Sequence, residues 1–148
     1  MQDPKKLFLG IAMVVLGLFA VINGVTSLTD NVTRLIAPRG VILIETVDTA
    51  EARALGLSGR ESIADDRGMM FVFDQATTSN CFWMKDMQFS IDMIWLDSDK
   101  KVVTIRDNVS PDTYPESFCP VSDAKYGLEI GAGQAMELEI REGSQLSF

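Results

Sequence analysis

Histidine is absent from all 148 residues. That absence removes Ser-His-Asp and Cys-His catalysis and takes away the usual nitrogen ligand of zinc sites. Two cysteines are too few to hold zinc alone, so no metal site and no cofactor are expected; any ion would have to be a hard cation held by oxygens. Positive charge is also scarce, with 13 lysines and arginines against 21 aspartates and glutamates. No basic run exists beyond Lys5-Lys6, so the chain lacks the cations that neutralise a phosphate backbone, and nucleic acid is not an expected partner. The acidity reads as a solvated surface. Internal repeats and low-complexity tracts are missing too.

What the chain has first is an uncharged apolar run from Leu7 to Leu28. About 20 such residues span a hydrocarbon core as a helix. Lys5 and Lys6 precede the run and Asp30 follows it, which keeps residues 1–6 cytoplasmic and exports the rest. Arg34 and Arg39 on the far side weaken that bias slightly. The expectation is a single-pass protein of the cell membrane, anchored through 7–28, with its C-terminal domain periplasmic or extracellular. The alternative is secretion after signal cleavage, but the run is long for a signal peptide and Val25-Thr26-Ser27 is a poor cleavage site. No cysteine follows the run, which excludes a lipoprotein anchor. Gly10, Gly17 and Gly24 recur every seven residues; small residues can let helices pack closely, although glycine is common in membrane helices anyway.

Residues 29–40 are polar, carry Pro38 and Gly40, and read as a linker. The exported domain is then 41–148. Val41–Val47 is a β-branched strand. Asp48 with Glu51 three residues on is a capping-box variant, and Ala50, Ala54 and Leu57 share a face, so a short helix is expected over 49–57. Gly68–Asp74 is a second strand. Ser90–Asp97 and Lys101–Arg106 flank Ser98-Asp99-Lys100 as a hairpin. Gly127–Ile130 and Ala135–Arg141 are two more strands around Gly131-Ala132-Gly133, the latter with Met136, Leu138 and Ile140 facing inward. Leu146 and Phe148 close the core. The fold class is therefore mainly β: a compact antiparallel β-sandwich or barrel-like domain with one or two short helices behind one N-terminal transmembrane helix.

Cys81 and Cys119 both fall in the exported part and read as one disulfide, since an oxidising compartment favours it. A reactive thiol would need activation from Lys85 or a helix N-terminus. Strand alternation puts Asp92 on one face with Ile94 and Leu96, while Ile91, Met93 and Trp95 take the other. Both faces are apolar, so Asp92 is expected to be at least partly buried and to need a partner, with Arg60 and Lys85 as candidates. Glu129 repeats the pattern between Gly127 and Gly131, whose missing side chains leave room for an approaching group. Arg60, Lys85, Asp92 and Glu129 thus form a candidate polar site, with Trp83 and Met84 as a candidate pocket wall; the plain alternative is an internal salt-bridge network. Asp97-Ser98-Asp99 has a calcium-like spacing but lacks further ligands and reads as a turn.

Several of these pieces occur together in a known order. R-A-L-G-L-S-G-R at 53–60, G-M-M-F-V-F-D at 68–74, F-W-M-K-D at 82–86, I-D-M-I-W-L-D at 91–97, L-E at 128–129 and G-A-G at 131–133 resemble the bacterial and archaeal domain of unknown function 192 family. The resemblance covers essentially all of 41–148. It implies a compact, mainly antiparallel β domain, often exported, with recurring polar positions at Arg60, Lys85, Asp92 and Glu129, and it implies no activity. The cysteines stand outside the family pattern, which supports a local disulfide. The functional expectation is a non-catalytic binding module for a small-molecule, glycan or envelope-protein ligand. The alternatives are an envelope assembly protein and a small enzyme using Asp92 and Glu129 as acid and base on a glycan.

Overall fold

The computed structural model describes residues 32–148. The anchor expected at 7–28, its flanks and the glycine series lie outside the described residues. Among the described residues no helix is long and apolar enough to cross a membrane.

The described residues form eight strands, two short α-helices and one 3-10 turn at Pro111–Thr113: β1 (Val32–Ala37), β2 (Gly40–Val47), α1 (Ala50–Leu55), β3 (Arg67–Thr77), β4 (Phe82–Trp83), β5 (Ile91–Leu96), β6 (Val102–Val109), β7 (Ser117–Phe118), β8 (Ala124–Gly131) and α2 (Gln134–Glu137). Six strands form one sheet in the order β1-β2-β3-β8-β5-β6, and β4 pairs with β7 alone. Only part of the expected class holds. The protein is mainly β with two short helices, but the sheet is open rather than a barrel. It is also mixed rather than wholly antiparallel, because α1 carries the chain from β2 across to a parallel β3.

Three local expectations are corrected. Of the linker expected over 29–40, the described part is not one: Val32–Ala37 is strand, and Pro38-Arg39 is the tight turn of the β1–β2 hairpin, between the paired Ala37 and Gly40. Leu35 and Ala37 of β1 are buried. The helix begins after Thr49, not Asp48; the Thr49 hydroxyl accepts from the Ala52 amide, as a helix N-cap does. Ala135–Arg141 is no strand. Gly133 in the left-handed conformation turns the chain into α2, and Met136, expected inside, is 80% exposed.

Both faces of the central strands are covered. All six residues of β5 are buried. Ile94, Leu96, Leu128 and Ile130 face one core, closed by Leu35, Ile140 and Leu146, with Phe148 packed edge-on against Tyr126. Met69, Phe71, Met93 and Trp95 face the other, covered by Leu57 and by Phe82 of β4. The cover on this second face is stapled: Cys81 and Cys119 form a disulfide next to the Phe82–Phe118 rung of β4 and β7. By loop entropy it stabilises the fold by about 3–4 kcal/mol.

Phe82 reaches the sheet through a gap. Gly127 lies between Phe71 and Trp95 in the register, and the Phe82 ring occupies the space its missing side chain leaves. The ring stacks on Trp95 at 5.0 Å and meets Phe71 edge-on at 4.8 Å. A Cβ at Gly127 would stand 2.3 Å from Phe82 Cζ. Gly127→Ala should therefore lower stability by about 1–3 kcal/mol through overpacking, and Phe82→Leu in the same chain should recover part of that loss. Urea denaturation measures both; a Gly127→Ala protein as stable as the parent would show that the ring is free to move aside.

Candidate functional site

The four expected polar residues do not converge on one site. Asp92 is completely buried, and its partners are neither Arg60 nor Lys85. Its Oδ1 accepts from the amides of Asn108 at 2.8 Å and Gly133 at 3.1 Å, and its Oδ2 from that of Ala135 at 2.9 Å. Asn108 has positive φ, and the β5–β6 register shifts between Ile91 and Met93. One side chain thus satisfies three amides at places where sheet pairing cannot, tying β6 and the start of α2 to β5.

Arg60 pairs instead with Glu45 of β2, both guanidinium nitrogens meeting both carboxylate oxygens at 2.8 Å. The bond to Arg60 draws Glu45 below its ordinary range, and Glu45 in turn raises Arg60. Both side chains are more than a third exposed, so the pair contributes about 1 kcal/mol at most. Lys85 is exposed. Its carbonyl accepts from the Ser58 hydroxyl, while its ammonium has no partner among the described residues.

Glu129 stands on the face opposite to Asp92. In the register it lies between Met69 and Met93, whereas Asp92 is opposite Ile130. The carboxyls cannot act on one bond from two sides of a sheet, which removes the acid–base pair. Nor do the flanking glycines leave open space beside Glu129: Phe82 fills the gap at Gly127, and the Gln134 amide lies over Gly131.

Glu129 is 5% exposed, and among the described residues its carboxyl has neither a hydrogen bond nor an ion pair. Burial alone pushes it up to about 8. It borders a cavity of about 140 Å³ walled by Leu57, Phe71, Phe73, Phe82, Trp83 and Met87. Trp83 lines this cavity and is half-exposed. Met84 does not line it; it is buried in the core. The wall formed by α1 and its following turn is held to the segment after β4 by the Gly59 amide donating to the Asp86 carbonyl and by the Ser58 hydroxyl donating to Lys85.

Arg53 also borders the cavity and was not among the residues expected from the sequence. Its guanidinium donates to the carbonyls of Asp48 and Val72 and pairs with Asp74 at 3.2 Å, so its charge is already met. A signal was present all the same. The pieces at 53–60, 68–74, 82–86 and 128–129, distant in sequence, all supply cavity-lining residues, while 91–97 and 131–133 supply the Asp92 anchor.

The chain belongs to the domain of unknown function 192 family, described as uncharacterised ACR, whose profile matches residues 34–148. No curated protein matches it. Among solved structures it is similar to a protein of unknown function from Novosphingobium aromaticivorans, with 25% identity, a TM-score of 0.69, and coverage of 79% of this chain and 85% of that one. It is also similar to a protein from Sinorhizobium meliloti described as a candidate transcription regulator, with 29% identity, a TM-score of 0.70, and coverage of 77% and 89%.

Two stability experiments separate the carboxyls. Asp92→Ala leaves three amides without their acceptor and should cost about 3–5 kcal/mol in urea denaturation; a loss below about 1 kcal/mol would mean the amides find other partners. For Glu129, the folded chain holds a proton that the unfolded chain releases above about pH 4.5. Stability should therefore fall as pH rises from about 4.5 to 8 and level off above, by roughly 3–5 kcal/mol in all. Glu129→Gln should be flatter across that window, and parallel curves for the two proteins would place the carboxyl in water.

Proposed function

We propose that the domain is a non-catalytic binding module whose ligand enters the cavity between α1, β4 and Glu129. The observation that carries this reading is the carboxyl of Glu129, on a residue only 5% exposed, which is without a partner among the described residues and borders a cavity. Buried polar groups are almost always hydrogen-bonded. A carboxyl left without a protein partner, beside a space that admits atoms, points to a partner from outside the fold. The walls are largely apolar and aromatic, with the polar side chains of Glu129, Arg53 and Ser58 among them, a make-up common in small-molecule sites.

Size narrows the ligand class. A dry cavity of about 150 Å³ takes one benzene ring, so a volume near 140 Å³ favours a group of that size over an oligosaccharide. The regulator description belongs to the S. meliloti protein. With 21 acidic residues against 13 basic, this chain offers little to a phosphate backbone, and a small-ligand reading is preferred. An exported setting is part of the proposal: the apolar run at 7–28 and the Cys81–Cys119 disulfide support it, because disulfides persist in oxidising compartments.

Thermal melting of the full chain in non-ionic detergent, against a panel of small amines, alcohols, acids and amides, tests the reading. A ligand at a hundred times its dissociation constant adds about 2.7 kcal/mol and raises the melting point by several degrees. Ala54 is exposed on α1 and borders the cavity, so Ala54→Trp should block the site and abolish the shift. If no compound shifts the parent, or if Ala54→Trp responds equally, the cavity is not a binding site.

A further inference from the structure

We infer that this cavity takes a small organic ammonium cation, its charge held by the Glu129 carboxylate and its alkyl groups by the surrounding aromatic rings. The inference rests on the binding reading above and names its ligand class.

Aromatic rings attract cations through the negative potential of their faces. Phe71, Phe73, Phe82 and Trp83 border the cavity together with the polarizable Met87. A carboxyl among such rings is the combination that recognises alkylated ammonium groups, because it adds a full counter-charge to a weak, sequence-tolerant attraction. The charges around Glu129 leave that role open. Arg53, which borders the same cavity, is engaged by Asp74 and two carbonyls and makes no ion pair with Glu129. Arg60 lies two strands away on the same face and is bound to Glu45. Met69 and Met93 flank Glu129 in the sheet and carry no charge. Lys85 and Asp86, on the segment after β4, are exposed and do not line the cavity. An anionic ligand would meet the carboxyl without a free cation to receive it. A net charge of −8 further favours the approach of cations.

Binding of a cation must expel the proton that burial holds on Glu129. Affinity for a permanently charged ligand should therefore rise with pH up to about 8, by as much as about tenfold per unit, and then level off. A neutral ligand has the opposite or no dependence.

Tetramethylammonium and tert-butanol, similar in size and shape, make the test. Each is titrated into the full chain in non-ionic detergent at pH 6.5 and pH 9, with sodium chloride matching the ionic strength, and binding is followed by calorimetry and chemical-shift changes. The expected result is tetramethylammonium at least tenfold tighter than tert-butanol at pH 9, weaker at pH 6.5 by tenfold or more, and weakened at least thirtyfold by Glu129→Gln while tert-butanol is not. The pH dependence of the parent separates cation from neutral ligand without the variant. If tert-butanol binds as tightly at both pH values, or if tetramethylammonium ignores both pH and Glu129→Gln, the cation inference is overturned and the cavity remains a neutral site. If neither probe binds the parent at either pH, the binding reading falls with it.

Discussion

The insertion of β8 between β3 and β5 is the constraint from which the rest follows. It gives β8 hydrogen-bonded neighbours on both edges and places its residues between two separate cores. A strand so placed has no wet face. Any polar residue in it, or in β5 beside it, must be satisfied by the protein, changed in ionisation or supplied with a partner from outside. The second face receives its cover from pieces too small to stand alone: a six-residue helix, a turn and a two-stranded ribbon. They hold together because Phe82 is keyed into the Gly127 gap and because the disulfide fixes the ribbon from which Phe82 projects. A cover made of separate pieces does not close on the sheet as a second full sheet would, and the cavity is what remains between them.

Much of this is legible in the sequence, and the limits have physical causes. Strand patterning identifies most of the sheet and puts Asp92 and Glu129 between apolar neighbours. Their partners are out of its reach. The groups that satisfy Asp92 are the backbone amides of Asn108, Gly133 and Ala135, and an amide is present at every non-proline position, so it leaves no mark in a sequence. Arg60 and Lys85 stand out as candidates because opposite charge is the only partner a sequence displays. The strand expected at 135–141 fails for a similar reason: M-E-L-E-I-R alternates as a strand should, but a run that short fits one helical turn as well. The left-handed Gly133 and Glu139 at its ends decide the matter. β1 is hidden because Pro38 signals a linker and a hairpin turn equally.

The two carboxyls show why burial alone does not identify function. Asp92 and Glu129 sit on neighbouring strands and present the same pattern of an acid between apolar residues. Asp92 is the more buried, and on that ground alone it would be the stronger candidate. It is nevertheless a structural residue, because each oxygen has a donor and every donor is backbone of its own fold. Glu129 has none among the described residues, and its environment responds by holding the proton. What separates the two is whether the hydrogen-bonding capacity of the group is used up within the chain.

That criterion also explains how the sequence motifs divide. The pieces at 91–97 and 131–133 close on each other through Asp92, and their chemistry ends there. The pieces at 53–60, 68–74, 82–86 and 128–129 meet around a space, and the acid they surround is left unpaired among the described residues. Packing alone would be served better by an apolar residue at position 129, which would fill the volume without the cost of a buried carboxyl. A raised carboxyl pKa costs the fold stability at neutral pH, and on the proposed binding reading that cost is what keeps a polar group facing the cavity.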